Sequence, residues 1–278
     1  MIKSILVAAD GSGHARAARE LALSLAKAFE SQVTGVHVVD VRLLEQPPFV
    51  VGAYPVETIA PSQLPIEMLE GFRANADKIM SDFRDAASAA GTEVEFRIEE
   101  GVPAETIADV AESYDLLILG KRGAHARYSD DLVGSTADQV VRKSGTPVLL
   151  VDGEPPLLKR LLVFYDSSGP ANSALKLAAE MASTLGGGLR ILTVKGDLDQ
   201  AAKTQQDARE YLSAYELEVE FRVAEGEFVF EALEDLETEP SNLAVLGKHG
   251  HSFLHDLILG GTTEQLMRQA RIALLLVP

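Results

Sequence analysis

The sequence predicts an α/β fold built from two copies of one doubly wound unit, each a five-stranded parallel sheet with helices on both faces. Short apolar runs alternate with segments of helical periodicity, and this alternation is typical of parallel sheets. The segment order then repeats, and residues 242–277 resemble residues 115–151. A chain of 278 residues is long enough for two such units.

The first half reads as four strand–helix steps followed by a last strand. Apolar or alternating runs predict strands at residues 4–9, 32–40, 93–101, 115–120 and 147–151. Helical periodicity predicts helices over residues 13–29, 66–91 and 102–113 and from Ser135 onward. Pro103 is expected to open the third helix and Gly91 to end the second. The Pro-rich stretch 47–65 is interpreted as a surface excursion.

The second half follows the same order without the Pro-rich stretch. Strands are predicted at residues 160–166, 188–194 and 216–226, with a helix over residues 170–186. Gly153, Pro155 and Pro156 interrupt the pattern within residues 151–160, which we interpret as the linker. We therefore expect domains at 1–152 and 157–278, each flavodoxin/Rossmann-like.

Composition excludes several classes of protein. A formal charge of −17 argues against a nucleic-acid partner, because an acidic surface repels phosphate. The apolar runs are too short to span a membrane, and the N-terminus enters a strand pattern rather than a signal peptide. Without cysteine, disulfides and Cys-based metal sites are excluded. These features predict a cytoplasmic protein with no membrane or nucleic-acid partner.

Each half carries a glycine loop after its fourth strand. Glycines let the backbone approach a ligand closely, and the last glycine site of each loop opens a helix whose N–H groups suit a phosphate. The hydroxyls of Ser135 and Thr136, or of Thr262 and Thr263, add donors. In a doubly wound sheet, ligands bind beyond the carboxyl ends of the strands. Asp10 and Asp166 follow the first strand of each half and can accept hydrogen bonds from adenine or ribose.

The pattern G-x2-G-x9-G-[ST] after an apolar strand, paired with an Asp after the first strand, resembles the ATP-binding universal stress proteins. The resemblance covers the whole chain, and the tandem arrangement of the two halves is similar to the two-domain members of that family. It implies ATP, ADP or AMP as the ligand, with Mg²⁺ as an ion that can accompany the phosphates.

The resemblance also implies individual site residues. In the first half, the base and ribose would contact Ala9, Asp10 and Val38. The phosphate side of that half comprises Gly120, Arg122, Gly123, Gly134, Ser135 and Thr136. The residues implied in the second half are Asp166, Val194, Gly247, His249, Gly250, Gly260, Gly261 and Thr262.

Both halves depart from the family pattern. The first places ten residues between Gly123 and Gly134 where nine are usual, so its loop is expected to bulge. The second keeps nine but has Gly261 where Ser or Thr is expected, which removes a hydroxyl donor. Two sites of different affinity are therefore predicted, and one of them could serve structure alone.

Basic residues in the loops favour anion binding independently of the resemblance. They are Lys121, Arg122, His125 and Arg127 in the first loop, and Lys248, His249, His251 and His255 in the second. Local positive charge would offset the acidic field of the chain. The spacing of the three histidines fits no recognised zinc signature, so no metal site is predicted.

Two other functional classes stay open, and no catalytic residue is assigned. Adenylyl-transferring enzymes carry H-x-G-H or S-G-G-x-D-S after the first strand, whereas this chain has DGSGHA and DSSGPA. Slow ATP hydrolysis is compatible with a bound triphosphate and a positioned water. The other class is an interaction protein with degenerate sites. The apolar final strands, 147–151 and 271–277, favour an internal pseudo-dimer or pairing between chains as a homodimer.

Overall fold

The computed structural model describes residues 1–42, 66–123, 133–195, 197–238, 241–248 and 261–278. The Pro-rich stretch predicted as a surface excursion lies outside these ranges, as does the predicted bulge after Gly123. The first-half strands are β1 Ser4–Ala8, β2 Gln32–Asp40, β3 Val94–Gly101, β4 Leu116–Gly120 and β5 Val148–Val151. The first-half helices are α1 Gly13–Phe29, α2 Ile66–Ala89, α3 Pro103–Ala111 and α4 Ser135–Lys143.

The second half repeats this order. Its strands are β6 Arg160–Phe164, β7 Gly188–Lys195, β8 Val219–Glu225, β9 Leu243–Gly247 and β10 Ala273–Val277. Its helices are α5 Gly169–Leu185, α6 Leu198–Leu212, α7 Phe228–Thr238 and α8 Gly261–Gln269. None of the helices in the described ranges is both long and apolar enough to cross a lipid bilayer.

The strands form one sheet in the order β3-β2-β1-β4-β5-β10-β9-β6-β7-β8. Within each half the neighbouring strands are parallel, and the order is the Rossmann one, 3-2-1-4-5. The order reverses between β1 and β4, and the helices that follow these two strands lie on opposite faces of the sheet. A crevice is expected at that point.

The two halves meet where β5 pairs antiparallel with β10. Leu149 lies opposite Leu275, and both side chains are fully buried. These strands are uniformly apolar because helices cover both faces of the sheet.

Helices on the two faces of the sheet bury two separate apolar clusters. Side chains of α1, α2, α5 and α6 pack on one face, and those of α3, α4, α7 and α8 on the other. Neighbouring strand residues alternate between the clusters, as Ile5 and Leu6 show in β1. This alternation accounts for the fully apolar strands that the sequence displays.

The turns after β1 and β6 are built identically. The Asp10 carboxylate accepts a hydrogen bond from the Ser12 N–H at 2.9 Å, and Asp166 accepts one from the Ser168 N–H at 2.9 Å. Each serine then caps the next helix, because Ser12 Oγ accepts from the Ala15 N–H at 3.1 Å and Ser168 does the same in α5. The Asp-x-Ser pattern thus fixes both helix starts.

Candidate functional site

A pocket of about 870 Å³ opens at the carboxyl ends of the first-half strands, beside β1 and β4. Its position is the topological switch point of the first half. The volume lies within the range of roughly 300–1,000 Å³ that is common for small-molecule sites. Residues from β1, β2, α2, α3, β4 and α4 line it.

The first-half residues implied by the resemblance all line this pocket. They are Ala9, Asp10, Val38, Gly120, Arg122, Gly123, Gly134, Ser135 and Thr136. These residues come from four separated parts of the chain. Their roles toward a ligand stay predictions, but the fold brings them to one cavity.

Asp10 lies directly against the glycine segment. A Cβ added to Gly123 would stand 2.9 Å from Asp10 Oδ2, a distance that a real side chain does not tolerate. Asp10 Oδ1 meanwhile accepts the hydrogen bond from the Ser12 N–H. Glycine at position 123 therefore leaves room for a carboxylate that also shapes the turn before α1.

The two glycine sites of the first loop meet backbone to backbone. The Gly134 N–H donates to the Lys121 carbonyl at 2.9 Å, and a Cβ on Gly134 would lie 3.3 Å from the Gly123 nitrogen. Gly134 is also the N-cap of α4 and supplies no side-chain cap. The first turn of α4 therefore presents backbone N–H groups at the pocket wall, an arrangement that suits an anion.

Gly120 and Gly247 are required for a reason that the sequence does not reveal. A Cβ on Gly120 would lie 2.6 Å from the Cβ of His14, at the start of α1. A Cβ on Gly247 would lie 2.6 Å from the Cβ of Pro170, at the start of α5. In each half this glycine allows the first helix to pack onto the fourth strand, whatever the neighbouring pocket binds.

Several wall residues were missed by the sequence analysis. His37 lies at the end of β2 beside Val38, while Phe72 and Asn75 come from α2. His37 Nδ1 is 2.8 Å from the Ala9 carbonyl, which can only accept, so Nδ1 carries the proton. In the neutral ring, Nε2 is then an acceptor. Pro103 and Ile107 of α3 complete the apolar wall. Its position next to Val38 could have indicated His37 as a wall residue. Nothing in the sequence indicated that α2 contributes to the wall.

The prediction that Lys121 and Lys248 supply positive charge for an anion is wrong. Both side chains are 2% exposed and contact the opposite half. Lys121 Nζ donates to the Ala270 carbonyl at 2.5 Å and lies 3.1 Å from the Asp152 carboxylate. Lys248 Nζ donates to the Ser144 carbonyl. Each lysine comes directly after a buried strand, and its ammonium group ends between the two halves.

Burial changes the protonation of both lysines. It lowers the pKa of Lys121, and the Asp152 carboxylate opposes that change. Burial alone lowers the pKa of Lys248 to about 8. Of the remaining predicted basic residues, Arg122 lines the pocket, whereas His125, Arg127, His249, His251 and His255 lie outside the described residues.

The second half places aromatic rings where the first half has its pocket. Phe164 ends β6 as Ala8 ends β1, and Phe228 opens α7 as Pro103 opens α3. Ala8 and Pro103 line the pocket, whereas Phe164 and Phe228 contact each other edge to face at 5.1 Å between ring centroids. The residue after Phe164 is Tyr165, 2% exposed, where the first half has Ala9.

The predicted second-half residues are only partly placed by the structure. Asp166 holds its turn, Val194 packs in the same apolar cluster as Phe164, and Gly247 packs against α5. Gly261 opens α8, and a Cβ added to it would meet no atom of the described residues within 4 Å. His249, Gly250 and Gly260 lie outside the described residues, as does the side chain of Thr262.

Known proteins resemble the chain over both halves. The model of the universal stress protein family matches residues 1–152 and 195–278. A universal stress protein of Synechocystis, Slr1230, is 26% identical over 287 residues, covering 99% of this chain and 99% of the relative. MJ0531, a universal stress protein of Methanocaldococcus jannaschii, is 30% identical over 153 residues, covering 54% of this chain and 82% of its own. A universal stress protein structure from Archaeoglobus fulgidus matches with a TM-score of 0.78 at 22% identity, covering 99% and 97% of the two chains.

Proposed function

The chain belongs to the universal stress protein family, and we propose that it is a cytoplasmic stress-response protein that binds ATP or a related adenine nucleotide in the first-half pocket. The observation that carries this proposal is the convergence of Asp10, Arg122 and the α4 N-terminus on one cavity of about 870 Å³.

The two sides of the pocket match the two ends of a nucleotide. Val38, Pro103 and Ile107 give an apolar wall for a planar base. Gly123 and Gly134 bring the backbone close to the cavity, and the first turn of α4 presents backbone N–H groups for the phosphates. Arg122 brings a cation to the same wall, within a chain of net charge −17. Mg²⁺ would enter with the phosphates.

We infer that the second half holds no nucleotide. Phe164 and Phe228 would occupy the volume that the base takes in the first half, since their first-half counterparts line the pocket. One nucleotide per chain is therefore expected. On this inference both halves keep the same fold, and only the first half keeps a ligand.

We also infer that residues 1–152 and 157–278 are two domains that form an intramolecular pseudo-dimer. The pairing of β5 with β10 supports this arrangement, because it joins equivalent strands about a local two-fold relation. A homodimer of whole chains is a separate question, which light scattering coupled to gel filtration tests.

The proposed role is binding rather than catalysis. Isothermal titration with ATP and Mg²⁺ should give one site per chain, and the melting temperature should rise with nucleotide concentration. Asp10→Ala should weaken binding at least tenfold. Asp166→Ala is the matched control, because it breaks the same serine turn in the other half and should leave affinity unchanged.

Two results would contradict the proposal. No thermal shift at millimolar ATP with Mg²⁺ would favour an interaction protein with degenerate sites. Repeated ATP turnover that Asp10→Ala abolishes would favour an enzyme.

A further inference from the structure

Two buried lysines cross between the halves in a reciprocal arrangement. Lys121 follows β4 and donates to the carbonyl of Ala270, just after α8. Lys248 follows β9 and donates to the carbonyl of Ser144, just after α4. Each half thus places a cation at the carbonyl end of the other half's last helix, where the helix dipole favours positive charge.

Helix α4 links the Lys248 contact to the nucleotide pocket. Its first residues, Ser135 and Thr136, line that pocket, and Ser144 caps its other end through an N–H bond to the Val140 carbonyl at 2.9 Å. The helix has nine residues, so the two ends are about 13 Å apart at 1.5 Å per residue. Helix α4 therefore connects the Lys248 contact to the N–H groups that face the pocket.

An ion pair also joins α4 to α8. Arg142 Nη2 of α4 donates to the Glu264 carboxylate of α8 at 3.0 Å. Val140 and Val141 of α4 belong to the same apolar cluster as Leu266 and Met267 of α8. The Lys248 contact therefore acts on a helix that already contacts the second half.

We propose that Lys248 is a positioning residue for the first-half nucleotide site, through which the second half sets the affinity of that site. The proposal rests on the proposed function. Lys248 does not touch the nucleotide, and it acts by holding the C-terminal end of α4. On this proposal the second half is a regulatory half.

The contact of Lys121 with the end of α8 couples the two halves in the opposite direction. Lys121 lies between Gly120 and Arg122, both of which line the pocket, and its ammonium group holds the end of α8. Nucleotide that orders this segment therefore also orders α8. Coupling is reciprocal by thermodynamic necessity, so a well-ordered α8 should in turn favour nucleotide binding.

The test compares affinity with stability in the full chain. Lys248→Met keeps the unbranched side chain up to the ε position but removes the donor and the buried charge. The dissociation constant for ATP with Mg²⁺, measured by isothermal titration, should rise about tenfold. Leu189→Ala is the matched control: it truncates a side chain 3% exposed in β7, lowers the melting temperature, and should leave affinity unchanged.

Hydrogen exchange supplies a readout that a purely structural role would not move. In the wild type, ATP should slow exchange at the end of α4 and in α8. In Lys248→Met the α4 response should shrink, while the α8 response through Lys121 stays. Lys248→Gln, which keeps a shorter donor, should give an intermediate affinity and serves if the Met variant does not fold.

The outcomes separate this inference from the proposed function. Wild-type binding with unchanged affinity in both Lys248 variants would overturn the coupling and leave the nucleotide site intact. An equal loss of ATP affinity in Lys248→Met and Leu189→Ala would mean that the loss follows from lower stability, and would overturn the positioning role. Absence of ATP binding by the wild type would overturn the proposed function and this inference together.

Discussion

The two halves share one backbone plan and differ in the size of two side chains at the same place. Ala8 and Pro103 leave a pocket in the first half, whereas Phe164 and Phe228 meet ring against ring in the second. The sheet order, the serine-capped turn and the glycine after the fourth strand are common to both. On the proposed function, a repeated fold need not bring a repeated ligand, because two larger side chains take the place of two that line the first-half pocket.

The shared features have structural reasons of their own. Asp10 and Asp166 both hold a serine turn, and Gly120 and Gly247 both admit a helix against a strand. These residues would be kept for the fold alone, even in a half without a ligand. What distinguishes the first half is the combination of that frame with small residues along the wall.

The largest expected effect comes from removing one ring of the second-half aromatic pair. Phe164→Ala removes a ring that is 4% exposed and packed against Phe228, so the free energy of unfolding should fall by about 3–5 kcal/mol. Urea denaturation measures the change. Pro103→Ala is the first-half control and should cost far less, since Pro103 borders an existing cavity. Equal losses would mean that the two walls are equally packed.

The converse substitution should remove the ligand. Ala8→Phe places in the first half the ring that closes the second, so ATP affinity should fall at least 100-fold, or about 3 kcal/mol. Isothermal titration gives the affinity, and circular dichroism checks that the fold is retained. Unchanged affinity in a folded variant would show that the base does not lie beside Ala8.

Most of the architecture could be predicted from the sequence because each strand is a short apolar run between helical segments. α1 was predicted at its observed bounds, and the strand predicted at 216–226 begins only at Val219. That error has a physical reason, since residues 216–218 carry the alternating pattern ahead of Val219, the first residue in register with β7. Alternation reports which face a side chain takes, not where strand pairing ends.

The site was predictable only in part, since a sequence pattern does not show how deeply a side chain is buried. The pattern identified the first-half wall residues, but the burial of Lys121 and Lys248 depends on contacts with the other half. A lysine in a glycine loop is usually a surface charge, and only the paired halves enclose these two. The aromatic filling likewise needed the fold, because Phe164 and Phe228 are 64 positions apart in the chain and meet only in space.

Glycine at the end of the fourth strand should matter equally in both halves. Gly120→Ala and Gly247→Ala each force a Cβ to within 3.0 Å of the first helix of that half, so each should lower the free energy of unfolding by about 1–3 kcal/mol. Thermal or urea denaturation measures both variants. Gly261→Ala is the control in open space, expected to stay within about 0.5 kcal/mol. A large loss at only one of the two strands would break the structural equivalence of the halves.

The smallest effect concerns the two buried lysines, which differ in their partners. The pKa of Lys248 falls to about 8 in the folded protein, so between pH 8 and its ordinary value near 10.5 the unfolded chain binds more protons. Stability should therefore rise with pH across that window, by about 1–2 kcal/mol between pH 8 and pH 10. Lys248→Met should remove this contribution, as urea denaturation at the two pH values would measure. Lys121→Met should change the slope less, because Asp152 opposes the loss of the proton at Lys121. A wild-type slope identical to that of Lys248→Met would mean that Lys248 keeps its charge in the folded protein, and that the two crossing contacts are equivalent after all.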